Sequence, residues 1–184
     1  MRCVLLAALL LALSACSRPG SDLPPIEQVA DGAYRLGAGD RIRVRFGTLE
    51  ILENDYIVSD VGTISVPLLG QVSAQGLTPE ELEREVARQI ETAQLEADPS
   101  VSVQVEQYRP FFILGEVQRP GLYPYIPQMT LQTAVAVSGG YTFRAEEDYA
   151  VITRSIGGNV IEGTAGPSTL IMPGDAIRIF ESWF

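Results

Sequence analysis

The chain has no histidine, and all thirteen of its basic residues are arginine, so it has no lysine either. Without histidine there is no imidazole base, no Ser-His or Cys-His couple and no histidine-ligated metal. Without lysine there is no Schiff base. Cations are also scarce: 23 Asp and Glu face 13 Arg across 184 residues, a formal net charge of −10. Such a surface argues against nucleic acid, whose phosphates bind by counterion release to a basic face. Cysteine is limited to Cys3 and Cys16. Long apolar runs are limited to one, residues 4–13. As a helix that run spans about 15 Å, half of a ~30 Å hydrocarbon core, and it reads as the apolar region of a signal peptide.

The run closes on Leu13-Ser14-Ala15-Cys16, which resembles the bacterial lipobox. The expectation is that residues 1–15 are removed and that Cys16 becomes a lipidated N-terminus. Cys3 then leaves with the signal, so no thiol remains for a disulfide or for catalysis. Several acyl chains hold a protein to a bilayer stably where one does not. Ser17, where an aspartate would favour the inner membrane, leans towards the outer membrane. Residues 17–33 carry Pro19, Pro24 and Pro25 among small and acidic residues. They read as a tether with a reach of about 23 Å.

From Tyr34 the pattern becomes that of a folded chain. Ile42, Val44 and Phe46 alternate with Arg41, Arg43 and Arg45, which predicts a half-buried strand. Residues 56–59 and 63–67 predict two more strands, joined as a hairpin through Asp60-Val61-Gly62. Thr78-Pro79-Glu80-Glu81 is a capping box with proline at the first helical position. Leu82, Val86 and Ile90 then share one helical face, and Glu80 is expected to pair with Arg84. Val101, Val103 and Val105 alternate as another strand. A second unit opens at Phe111. It has a helix capped by Thr130 and stopped by Gly139-Gly140, strands at 149–153 and 176–180, and turns at 157–158 and 163–167. The fold class is α+β, with a helix on a sheet in each unit. Gly39-Asp40-Arg41-Ile42 is echoed by Gly174-Asp175-Ala176-Ile177, either a duplication or convergence on common turn chemistry.

The stretch YRLGAGDRIRVRF…VSDVGTISVPLLGQVSAQGLTPEELEREVARQI…DPSVSVQV resembles the polysaccharide biosynthesis/export domain. The stretch ILGEVQRPGLYPYIPQMTLQTAVAVSGGYT…AVITR…IMPGDAIRI resembles the soluble-ligand-binding β-grasp (SLBB) domain that follows it in the same Wza-like family. The resemblance implies an export domain over 34–109 and a β-grasp-like SLBB domain over 110–184. It implies no cofactor and no catalytic residue. Its partners would be a polysaccharide, an inner-membrane polysaccharide co-polymerase and further copies of the chain in a ring. The place would be the outer membrane of a Gram-negative bacterium, facing the periplasm. The larger members carry more SLBB units and a terminal helix that crosses the membrane. Here one SLBB unit and four trailing residues are expected to supply no span, so an outer-membrane β-barrel would have to complete the path.

Besides Cys16, four residues stand out as candidate contacts. Arg41, Arg43 and Arg45 form a basic stripe, open to an acidic glycan or a neighbouring subunit, or simply a solvated strand face. Trp183 offers an aromatic anchor for a partner, or packing on its own domain. Glu53 with Asp55, or Glu146-Glu147-Asp148, supplies paired carboxylates of the kind a glycosidase uses, though solvated acid clusters look the same. Tyr108, Phe111, Phe112, Tyr123, Tyr125 and Tyr141 suit sugar stacking, though most are expected in a core or a domain interface. The rival to a conduit is a monomeric lipoprotein that binds a glycan or tethers a partner through its β-grasp unit.

Overall fold

A computed structural model of the chain describes residues 19–26, 34–47, 49, 52–156 and 158–182. Cys16 and Trp183 lie outside the described residues. Two hydrophobic cores form, one built from residues of 36–103 and the other mainly from residues of 111–179, so each unit buries its own apolar faces.

The first unit contains β1 (Arg41–Phe46), β2 (Asn54–Ile57), β3 (Thr63–Val66), β4 (Gly70–Ser73), α1 (Pro79–Thr92) and β5 (Val101–Gln107). Antiparallel β2-β1-β5 form one sheet, and β3-β4 form a two-stranded ribbon. Ile42, Val44 and Phe46 point inward, as their alternation predicts. The expected hairpin is corrected. Residues 59–63 do make a turn, with Gly62 donating to Ser59 and Ser59 to Thr63. The strands on either side of it separate, β2 pairing with β1 and β3 with β4. Period-two alternation shows which face of a strand is buried, not which neighbour it chooses.

Helix α1 follows its sequence signals closely. Thr78 accepts from the Glu81 amide, and the Glu81 carboxylate accepts from the Thr78 amide. Leu82, Val86 and Ile90 are fully buried against the sheet. Glu80 and Arg84 form no close salt bridge, though, behind the hydrogen bond from the Glu80 amide, the Arg84 charge still helps to hold the Glu80 carboxyl down. Arg84 donates instead to the Glu80 carbonyl, while Arg88 pairs with Glu85.

The second unit contains β6 (Phe111–Gly115), β7 (Gly121–Tyr123), α2 (Leu131–Val137), β8 (Ala150–Ile156), β9 (Asn159–Ala165) and β10 (Ala176–Ile179). The sheet order is β7-β6-β10-β8-β9, with β6 and β10 parallel. Helix α2 covers one face through Leu131, Ala134 and Val135, packed among Phe111, Ile113, Ile152, Ile177 and Ile179. Gly163 is not in a turn but inside β9.

The reason for Gly163 lies in the N-terminal residues. Pro25 bridges to Thr164, Ile26 donates to the Thr164 carbonyl, and Thr164 donates to the Pro24 carbonyl. A Cβ on Gly163 would stand 2.7 Å from the Ile26 backbone, so glycine is what lets this segment lie on the sheet edge. Ile26 is 5% exposed and belongs to the second core. Residues 19–26, expected as part of a free tether, are thus a strap on the second unit. Their proline content suits an edge position, because proline cannot donate to a ladder. Gly163→Ala should displace the strap, expose Ile26 and lower stability by about 2 kcal/mol. Hydrogen exchange should speed up at Ile26 and Thr164 and stay unchanged in α1.

Candidate functional site

The basic stripe lies on the outer face of the β2-β1-β5 sheet, where its charge is answered locally. Register places Arg43 opposite Asp55 of β2, and the guanidinium takes that carboxylate with two bonds of 2.8 and 3.3 Å. It also reaches Glu106 of β5 at 3.1 Å. Arg45 faces Glu53 at 3.5 Å. Arg41 continues the row. The stripe is therefore the middle of a charge ladder with acidic flanks. The same geometry bears on Glu53 and Asp55 as hydrolytic carboxylates. The Arg43 hydrogen bonds hold the Asp55 carboxyl below its ordinary range, the wrong direction for a general acid. Of the second acidic cluster, Glu146 is mostly buried, and its carboxylate accepts from the Asp148 amide.

The most elaborate constellation is one the stripe and the acid pairs do not touch: the joint between the units. Asp40 is fully buried just before β1. Its carboxylate accepts from the Gly37 amide at 2.7 Å and from the Tyr34 hydroxyl at 2.5 Å. The Arg109 amide adds a bond of 2.8 Å and its guanidinium one of 3.2 Å. Arg109 sits in the link between β5 and β6, so this carboxylate ties the first unit to the start of the second. Burial, and then the neighbouring Asp40 carboxylate, push the Tyr34 hydroxyl above its ordinary range, so it stays a donor.

The echoed turn does the same work in the second unit. Asp175 is 1% exposed and accepts from the Met172 amide at 2.7 Å, as Asp40 accepts from the residue three before it. Arg154 grips it from β8 with two bonds of 2.9 and 2.8 Å. Burial pushes the Asp175 carboxyl up against the downward pull of Arg154. The two turns meet at Arg109. A Cβ on Gly37 would come within 2.2 Å of its Nη1, and one on Gly174 within 2.7 Å of its Nε. The guanidinium thus lies in a slot that two glycines leave open. Beside it, Tyr34, Tyr108 and Tyr125 meet edge to face at centroid distances of 4.8 and 5.6 Å, an aromatic chain running from one unit to the other. Tyr108 and Tyr125, candidates for sugar stacking, are engaged in this joint. Phe111 is fully buried in the core, whereas Phe112 is 40% exposed.

The arrangement contains paired charges, ring edges and backbone amides, and every buried side-chain nitrogen and oxygen among the described residues has a partner. It bonds the first unit to the start of the second through Asp40 and Arg109. Comparison with known proteins says what that pair of units is. Residues 28–106 match the family described as polysaccharide biosynthesis/export protein, and residues 110–165 match the SLBB domain. The exopolysaccharide production protein ExoF of Rhizobium meliloti (strain 1021) is 36% identical over 149 residues, which are 75% of this chain and 34% of that protein. The EPS I polysaccharide export outer membrane protein EpsA of Ralstonia solanacearum is 31% identical over 158 residues, 79% of this chain and 41% of that one.

This chain belongs to the polysaccharide biosynthesis/export family.

It spans between about a third and two-fifths of the length of these curated relatives. The division between the export unit and the SLBB unit falls at the link that carries Arg109, so the joint is the boundary between the two matched domains. The residues that build it were hard to find in advance. Asp40 and Arg109 are 69 positions apart. The available signal was the repeated Gly-Asp turn, which marks both carboxylates but neither arginine. Arg109→Ala should cost about 2 kcal/mol, because Asp40 keeps its backbone and Tyr34 donors. Arg154→Leu, which strands Asp175 without a cation, should cost more, about 3–5 kcal/mol. Urea unfolding measures both. Faster amide exchange around residues 37–40 should accompany the first change alone.

Proposed function

We propose that this chain is a passive, lipid-anchored component of an exopolysaccharide export machine. Copies of it form or extend a periplasmic conduit that leads a polysaccharide to an exit in the outer membrane. The observation that carries this reading is the succession of an export unit and an SLBB unit, locked by one joint. Supporting it are one similar protein named for exopolysaccharide production and another named as an outer-membrane export protein. Cys16 carries the lipid, and the protein faces the periplasm. Its work is geometric and needs neither a catalytic residue nor a cofactor. One unit pair of this size cannot surround a polymer, so the conduit is a ring, and a ring requires a heterologous interface repeated about an axis. An inner-membrane co-polymerase delivers the chain from below, and a β-barrel opens the membrane above. The charge ladder around Arg43 and the region of Trp183 are the surfaces through which neighbouring copies or partners meet it.

Deleting the gene should abolish polymer in the medium while synthesis of the repeat unit continues, and complementation should restore secretion. Cys16→Ala should release the protein from the membrane fraction and lower secretion. Crosslinking during secretion should capture multimers. Normal secretion in the deletion strain would overturn the reading. Exclusive capture of single copies would favour a monomeric glycan-binding lipoprotein.

A further inference from the structure

The polarity of the SLBB sheet defines two poles. Strands β6 and β10 run parallel, both starting at the joint, next to Arg109 and Asp175, and both ending away from it at Gly115 and Ile179. Five residues of strand carry the chain about 17 Å, so the second pole stands well clear of the export unit.

Residues 139–148 are fastened at that far pole. Thr142 donates its amide to the Glu116 carbonyl and its hydroxyl to the Glu116 carboxylate. Ala145 bridges to Glu181, Glu146 donates to the Phe180 carbonyl, and Ser182 donates to the Arg144 carbonyl. Arg144 also pairs with Glu181. Between these fastenings Phe143 is 92% exposed, the most exposed large apolar side chain among the described residues. One exposed apolar residue means little by itself. Its place on the molecule gives it meaning.

The strap begins at the same pole. The Tyr149 hydroxyl donates to the Pro19 carbonyl at 2.9 Å, and Gly20 packs against Val151 and the Phe180 ring. Three chain steps separate Cys16 from Pro19, at most about 11 Å when extended. A lipid on Cys16 is therefore confined to the pole that carries Phe143. The loop is already held on both sides, so placing its aromatic ring in a bilayer interface costs little further ordering.

We propose that the Phe143 loop docks on a lipid surface, with its ring in the interfacial layer beside the acyl anchor. Glu147 and Asp148 are exposed on the same loop and would be repelled by anionic lipid. The surface it fits is a zwitterionic phospholipid. This inference rests on the reading of Cys16 as the lipid attachment site, and the experiment separates the two.

The test uses the full-length acylated protein with Trp183→Phe, carrying a single tryptophan introduced either by Phe143→Trp or by Leu95→Trp. Leu95 lies beyond α1, just before the strand β5, whose start is far from the joint. Each variant is mixed with phosphatidylcholine vesicles bearing brominated acyl chains and separated by flotation. The expected result is that both variants float, and that tryptophan at 143 loses emission and shifts to the blue while tryptophan at 95 keeps its spectrum. Flotation without quenching at 143 would overturn this inference and leave the anchor standing. Equal quenching at both positions would also overturn it, because the molecule would then lie on the bilayer without a preferred pole. Failure of either variant to float would remove the anchor and this inference with it. Quenching absent in vesicles, with the residue shielded only in native outer membranes, would assign the loop to a protein partner instead.

Discussion

A carboxylate placed in a protein interior must be surrounded by donors, and the placement of Asp40 dictates much else in this molecule. Four donors converge on it, from Gly37, Tyr34 and both the backbone and the guanidinium of Arg109. Their positions fix the turn before β1, the tyrosine that opens the export unit and the link into the SLBB unit. Removing the charge from water is repaid only if all of these are in place together. The two units are therefore not beads on a string. Tyr108 and Tyr125 extend the same contact with ring edges, which gives the joint an apolar part as well as a charged one.

The absence of lysine takes on a structural meaning here. A guanidinium is planar and can grip a carboxylate with two parallel bonds, whereas an ammonium offers a compact point charge. Arg154 on Asp175 and Arg43 on Asp55 both use that fork. Much of the small cationic complement is spent inside the chain, on intramolecular pairs. In the sequence the alternating arginines of β1 read either as a contact for an acidic partner or as a solvated strand face. In the fold, two of the three face carboxylates of their own sheet.

Much of the fold was legible because one-sided burial writes itself into sequence. The β1 alternation, the α1 capping box with its Leu82-Val86-Ile90 face and the glycine stop of α2 all describe local geometry, and local geometry is what spacing records. The misreadings share another cause. Strand β9 contains Gly163 because another backbone lies against it, and a glycine required by a remote contact looks the same as one required by a turn. The strap looked like a tether because its prolines exclude a central strand but not an edge contact. The hairpin assignment failed on choice of partner, which depends on the whole sheet. The joint was half visible: the Gly-Asp repeat marks two buried carboxylates, while the arginines that neutralise them come from elsewhere in the chain.

A fixed joint matters most for a subunit that repeats around an axis. In the proposed ring, each copy passes its orientation to the next, and closure demands that the successive rotations sum to a full turn. A hinge that flexed would spread those rotations, and open arrays would compete with closed ones. It would also have to be ordered at every interface, adding an entropic cost that grows with the number of copies. The Asp40–Arg109 pair adds little net stability over an apolar joint of equal volume. What it supplies is direction, because the Arg109 amide and guanidinium hold different oxygens of one buried carboxylate. That trade suits a protein whose proposed task is to hold a shape while a polymer passes.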